Sequence, residues 1–156
     1  TADRARETLF SMLTSRLGGF TGLAVADLFA GSGALGLEAL SRGAASCLFV
    51  DSDRDAIAAI RANVAQLGAT GADIRQSSAL NPQTVAQPFD LIFLDPPYAQ
   101  DGIGTLLDQL IARQWIATGT MVSVETGHGA PPDCPVLSHQ VSRKVGKAEL
   151  HLFRMD

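Results

Sequence analysis

Short apolar runs that end in glycine or a carboxylate alternate with stretches whose apolar residues recur at helical spacing, and this alternation confines the chain to an α/β fold. Residues 23–29 read as a strand, followed by the turn Gly31-Ser32-Gly33 and a helix over 35–41 stopped by Gly43. A second strand, 47–50, ends at Asp51, and a helix then carries Ile57, Ile60, Val64 and Leu67 on one face. Asp53 stands at its N-cap position and Gly68 at its C-terminal stop. Strands follow at 73–76 and 89–94, then a helix near 103–113 and a strand near 121–125. After Glu125 the pattern changes to a Gly- and Pro-rich loop and two β-rich segments, 137–145 and 148–153, which read as an antiparallel pair about Gly146.

Parallel strands with an antiparallel pair at one edge make a mixed sheet. In open sheets of this kind ligands sit beyond the carboxyl ends of the strands. Those ends carry Asp27 with Gly31 and Gly33, Asp51, Ser78, Asp95 with Tyr98, and Glu125.

The run Gly31-Ser32-Gly33-Ala34-Leu35-Gly36 fits GxGxxG, and Asp51 follows Gly31 by 20 residues. Glycines let the backbone turn sharply and come close to a ligand. A carboxylate at the end of the second strand can accept from two ribose hydroxyls. The constellation suits any cofactor that contains adenosine, whether a dinucleotide or S-adenosylmethionine. Asp27 begins to separate the two: a carboxylate there repels pyrophosphate, whereas the ammonium and sulfonium of S-adenosylmethionine are attracted to it, the simpler alternative being that Asp27 caps neighbouring backbone.

Asp95-Pro96-Pro97-Tyr98 directly follows an apolar strand. An exocyclic amine on an aromatic ring is a poor nucleophile, because its lone pair is delocalised. A catalyst must therefore accept hydrogen bonds from its N–H groups, which the Asp95 carboxylate and the Pro96 carbonyl can do. Two prolines stiffen the turn and offer no competing donor, and Tyr98 can stack on a base turned out of its helix. The simpler alternative is that the prolines end a strand and Tyr98 packs on a loop.

Net charge is −4, but its distribution is uneven. Arg4, Arg6 and Arg16 outnumber Asp3 and Glu7 at the start, while Arg143, Lys144, Lys147 and Arg154 outnumber Glu149 and Asp156 at the end. Basic ends around an acidic middle permit contact with a nucleic acid. Cys47 and Cys134 lie far apart without metal-ligand spacing, so neither a disulfide framework nor a metal site is expected, and a reducing cytoplasm fits. No apolar stretch is long enough for a membrane span, and no leader is expected. His128, His139 and His151 sit in loop and edge-strand settings that suggest structural roles, and Trp115 suggests core packing.

With Asp27-Leu28-Phe29-Ala30-Gly31-Ser32-Gly33 and Asp95-Pro96-Pro97-Tyr98, the chain resembles the Rossmann-like class I amino-methyltransferases. More narrowly, it resembles the RsmD-type methyltransferases of bacterial small-subunit ribosomal RNA. The stretches that carry this are Asp3-Arg4-Ala5-Arg6-Glu7-Thr8-Leu9-Phe10 and the run from Asp27 through Arg42. The resemblance implies a mostly parallel seven-stranded sheet with helices on both faces, S-adenosylmethionine as methyl donor, and the 2-amino group of a guanine in 16S rRNA as acceptor. It implies that Asp27, Gly31 and Gly33 serve the methionine end of the cofactor, Asp51 its ribose, and Ser78 and Ala79 its adenine, with Phe29 and Ser32 also binding the cofactor. Asp95, Pro96, Pro97 and Tyr98 would hold the target base. Ser78 stands where the family often has Asn or Asp, so its adenine contact is expected through the backbone. Family members also carry a basic, glycine-containing extension before the Asp3 motif, expected to contact RNA. The acceptor would be ribosomal RNA or a small-subunit assembly particle, the protein a single domain over 1–156, and a monomer is favoured. Methylation of DNA or another RNA base, an NAD-dependent oxidoreductase and a noncatalytic binding module are the alternatives.

Overall fold

The computed structural model describes residues 2–97, 102–129 and 131–156. The elements run in the order α1 (Asp3–Leu17), β1 (Ala24–Leu28), α2 (Ala34–Ser41), β2 (Ser46–Asp51), α3 (Arg54–Leu67), β3 (Ala72–Gln76), β4 (Leu91–Leu94), α4 (Ile103–Ala112), β5 (Met121–Gly127), β6 (Ser138–Val145) and β7 (Ala148–Arg154). The strands form one seven-stranded sheet in the order β3-β2-β1-β4-β5-β7-β6. β1 to β5 are parallel, and β7 runs antiparallel between β5 and β6. The mixed sheet with an antiparallel edge pair is thus the one the sequence implies.

The strand order reverses between β1 and β4, and this is where the chain leaves a crevice outside the carboxyl ends of the strands. Both strands are covered on both faces, which is why their residues are apolar almost without interruption. On one face α1, α2 and α3 pack over Val25, Cys47, Phe49, Leu91 and Phe93. On the other, α4 packs over Ala26, Leu28, Ile92, Leu94, Val122 and Val124.

Helix α1 is not anticipated by the charge reading of the first sixteen residues. Ala5, Leu9, Phe10, Met12 and Leu13 are buried at helical spacing beneath its exposed charges. It is tied to α2 through Glu38, whose carboxylate lies 3.1 Å from Arg6 Nε in an ion pair and accepts from Arg42 Nε at 2.9 Å. The Arg42 guanidinium also lies 4.9 Å from the centre of the Phe10 ring. Leu67 departs from the expected apolar face of α3: Ile57 and Ile60 are buried, but Leu67 is 66% exposed. Helix α3 packs toward β3, the edge strand, and its last turn has no further strand to cover. Strand β4 is also shorter than expected, since Phe89 and Asp90 precede it. There the Asp90 carboxylate accepts from Ala24 N at 2.8 Å and the Phe89 ring packs on Trp115 at 5.2 Å.

The third glycine of GxGxxG is a packing residue. A β-carbon on Gly36 would stand 2.4 Å from the Phe49 ring and 2.6 Å from Cys47 Sγ, so α2 can lie against β2 only if this position is bare. Gly36→Ala is therefore expected to lower the unfolding free energy by about 1–3 kcal/mol, the usual cost of overpacking. Urea denaturation measures it, and an unchanged midpoint would show that the contact relaxes at no cost.

Candidate active site

At the end of β1 the chain turns through Phe29, whose φ of 57° is rare for a residue with a side chain. Gly31 and Gly33 follow with φ of 60° and 81°. Three left-handed residues within five positions fold the loop tightly, as Gly33 N donates to Ala30 O at 2.8 Å and Ala30 N to Val50 O at 3.1 Å. No heavy atom lies within 4 Å of the place a Gly31 β-carbon would occupy, so the space in front of the loop is open. Ser32 is exposed on this loop, and its carbonyl accepts from Asn63 Nδ2 of α3 at 2.9 Å. Sequence reasoning passed over Asn63. Its signal is a polar residue beside Ile60 and Val64 on the inward face of the helix.

Two carboxylates hold the loop. Gly33 occupies the N-cap of α2 and has no side chain to offer the first turn. Asp27 supplies the missing acceptor from the neighbouring strand, receiving Gly36 N at 3.0 Å. Asp51, at the end of β2, receives Gly31 N on Oδ2 and Asp53 N on Oδ1, each at 2.9 Å. Each Asp51 oxygen spends one acceptor site on the backbone and keeps another for a ligand hydroxyl.

Asp27 is 2% exposed. Burial pushes its carboxyl up from 3.8 to about 7; the Gly36 N–H opposes this, and the charges of Asp95 and Asp51 add to it. A buried acid of this kind favours a cationic group beside it.

Beyond β3, Ser78 Oγ accepts from Leu80 N at 3.2 Å and Ser78 O from Asn81 N at 3.2 Å, a turn that buries Ala79 and leaves Ser78 exposed. The turn borders a cavity of about 400 Å³ lined by Leu28, Val50, Gln76, Ser78, Ala79 and Trp115. Its apolar wall is the face of β1 and β2 opposite Asp27, which the sequence motifs do not reveal. Asp95 follows β4 half-buried, with Pro96 buried and Pro97 exposed after it. Tyr98 lies outside the described residues. The loop of β1, the end of β2, the turn after β3 and Asp95 thus surround one sheet end.

His139 and His151, distant in sequence, come together across the β6–β7 pair through Ser142. Ser142 Oγ lies 2.7 Å from His139 Nε2 and 2.7 Å from His151 Nδ1, and His151 Nε2 lies 3.0 Å from Thr126 Oγ1. His151 is fully buried, and that burial lowers its pKa. This is a structural hydrogen-bonded role away from the strand ends. Trp115, 4% exposed, donates Nε1–H to Gln83 O at 2.6 Å and is a core residue. Among the described residues no group of three or more His, Cys, Asp or Glu side chains is placed to hold a metal ion, and no helix is long and apolar enough to cross a membrane.

Solved structures identify the architecture as the class I methyltransferase fold. The magnesium protoporphyrin IX methyltransferase of Synechocystis, with bound S-adenosylmethionine, matches with a TM-score of 0.76 over 98% of this chain and 79% of its own, a likeness of fold alone at 11% identity. A conserved hypothetical protein of Streptococcus pyogenes matches with a TM-score of 0.84 and 30% identity, over 97% and 95% of the two chains. The chain belongs to the family described as "Conserved hypothetical protein 95", the RsmD family, which it matches over residues 1–154. Among its relatives is the Ribosomal RNA small subunit methyltransferase D of Escherichia coli, 36% identical over 129 residues that make up 81% of this chain and 63% of that protein. The protein of the same name from Buchnera aphidicola is 32% identical over 127 residues, 80% of this chain and 65% of the relative. The chain thus spans just under two thirds of the length of both.

The raised pKa of Asp27 has a measurable sign. Between pH 3.8 and about 7 the folded chain keeps a proton that the unfolded chain has lost, so this group's contribution to stability falls as pH rises through that window. Asp27→Asn keeps an acceptor for Gly36 N and removes the titration. The variant is expected to gain on the wild type by on the order of 2 kcal/mol between pH 5 and pH 8 in ligand-free unfolding experiments. Parallel profiles for the two proteins would mean that Asp27 is not a buried acid.

Proposed function

We propose that the protein transfers a methyl group from S-adenosylmethionine to the exocyclic 2-amino group of a guanine in small-subunit ribosomal RNA. The observation that carries this reading is the meeting, at one sheet end, of a buried carboxylate suited to a cation and a half-buried carboxylate followed by two prolines. The names of the relatives support ribosomal RNA as the acceptor. With that acceptor the protein works in the cytoplasm.

The site fits the donor. Asp27 and the backbone of Phe29 to Gly33 would hold its methionine end, Asp51 its ribose hydroxyls, and the turn at Ser78 and Ala79 its adenine. Asp27, already near its ionisation point at neutral pH, gives up its proton more readily beside a cationic ligand. The bound donor supplies a methyl group activated by its sulfonium. Asp95 accepts a hydrogen bond from the target amine, together with the Pro96 carbonyl, and this favours the pyramidal nitrogen needed for in-line attack. As the N–C bond forms, positive charge grows on nitrogen and its remaining protons become acidic, so an acceptor here helps most in the transition state. Tyr98 would stack on the extruded base.

The two basic ends also meet. Arg16 of α1 and Arg143 of β6 border one shallow groove, with Lys144 and Lys147 exposed nearby in sequence. Such a surface would contact phosphates of the RNA or of a small-subunit assembly particle.

Single-turnover methyl transfer with donor and RNA saturating separates the roles. Asp95→Ala is expected to slow transfer roughly 100- to 1,000-fold with donor affinity little changed. Asp95→Asn should be milder, because its side-chain oxygen still accepts. Asp51→Ala should do the reverse, weakening donor binding by about 1–3 kcal/mol. An Asp95→Ala protein that transfers as fast as wild type would reduce Asp95 to a residue that merely ends a strand.

A further inference from the structure

A second cavity, of about 380 Å³, opens between the start of α1, the end of β5 and the β6–β7 turn. Its size falls within the range of small-molecule sites, about 300–1,000 Å³. Ala2, Ala5, Val145 and Ala148 give it apolar walls; the half-buried Glu125 and the exposed Arg4 and Lys147 complete the lining. Apolar walls, one inner carboxylate and two outer cations match a flat heterocycle with N–H groups whose flanking phosphates stay in water.

The cavity adjoins the catalytic turn. β4 and β5 are parallel neighbours with Leu94 opposite Val124, so Asp95 and Glu125 are the residues that follow this pair on the two neighbouring segments. Adjacent strands lie about 4.8 Å apart. Phe93 and Ser123, two positions earlier, are buried with Leu91 and Met121 on the α1 side of the sheet. Alternation along β5 brings Glu125 to that same side, and Asp95 follows β4 directly beside it. The spacing suits two neighbouring hydrogen-bond donors on one base edge.

Resting on the amine methylation proposed above, we infer that Glu125 is the residue that selects the base. It accepts from the ring N–H that adjoins the amine bound by Asp95. An ionised carboxylate can only accept. Guanine presents its ring N1–H next to its 2-amino group. Adenine and cytosine present a ring acceptor beside their amines, which faces Glu125 with like polarity and is rejected. Arg4 and Lys147 hold the flanking backbone without reading sequence.

The test first maps the methylated position on small-subunit ribosomal RNA with the full-length protein, then replaces that one base by 2,6-diaminopurine. The analogue keeps the 2-amino group but has an acceptor at ring N1. The wild type is expected to prefer guanine in kcat/KM by roughly 5- to 150-fold. Glu125→Gln, whose amide can donate to that acceptor, should lose at least about tenfold of any larger preference, or level a smaller one, while donor affinity stays unchanged. Equal use of the two bases by the wild type would overturn the inference even if the variant does not fold. So would a variant slowed equally on both, or a mapped base that is adenine or cytosine. Absence of methyl transfer to any RNA would instead overturn the function on which the inference rests.

Discussion

The hydrogen bond from Gly36 N to the buried carboxylate of Asp27 fixes how α2 meets β1, and the site is built outward from it. A glycine at the N-cap is needed for the left-handed turn of the loop, yet it leaves the first turn of α2 without a side-chain acceptor. Asp27 fills that position from β1, and Asp51 secures the other end of the loop from β2. The arrangement requires a carboxylate deep in the sheet, where burial penalises its charge. Under the proposed function a cationic donor would relieve that penalty, so that one residue would set the stability of the free chain and its affinity for the donor in opposite directions.

Helix α1 links the two sides of this site. Arg6 joins it to α2 through Glu38, and its first turn borders the cavity that contains Glu125. The half-buried Arg6–Glu38 pair contributes modestly to stability, so the buried face of Leu9, Phe10 and Leu13 does most to hold α1 in place. Phe10 packs on Phe20 and Phe93 with ring centres 5.3 and 5.7 Å apart, which connects α1 to the strand that leads into Asp95.

Much of the fold is legible in the sequence, because β1, β2, β4 and β5 are apolar runs closed by glycine or carboxylate. Helix α1 is not, because the charges at positions 3, 4, 6 and 7 hide the helical spacing of Ala5, Leu9 and Met12. Leu67 is misjudged because a face periodicity says nothing of where the sheet ends. At the site, spacing marks Asp27, Asp51 and Asp95 but not what they bind. Gly36 N and Gly31 N, held by Asp27 and Asp51, lie 9 and 20 residues away, and only the folded loop brings them into reach. Gly36 illustrates a second limit: its role depends on the Phe49 ring of another element. The pairing of His139 and His151 through Ser142 likewise follows from strand register, with no local motif to announce it.

If two carboxylates at one sheet end serve methyl transfer to a guanine amine, the chemical identity of the product reveals it. The full-length protein is incubated with donor labelled in its methyl group and with unmodified small-subunit ribosomal RNA or assembly particles, and the RNA is digested to nucleosides. The label is expected in a guanosine methylated on its 2-amino group. Label on a ring carbon or a ribose oxygen, or none in RNA at all, would contradict it.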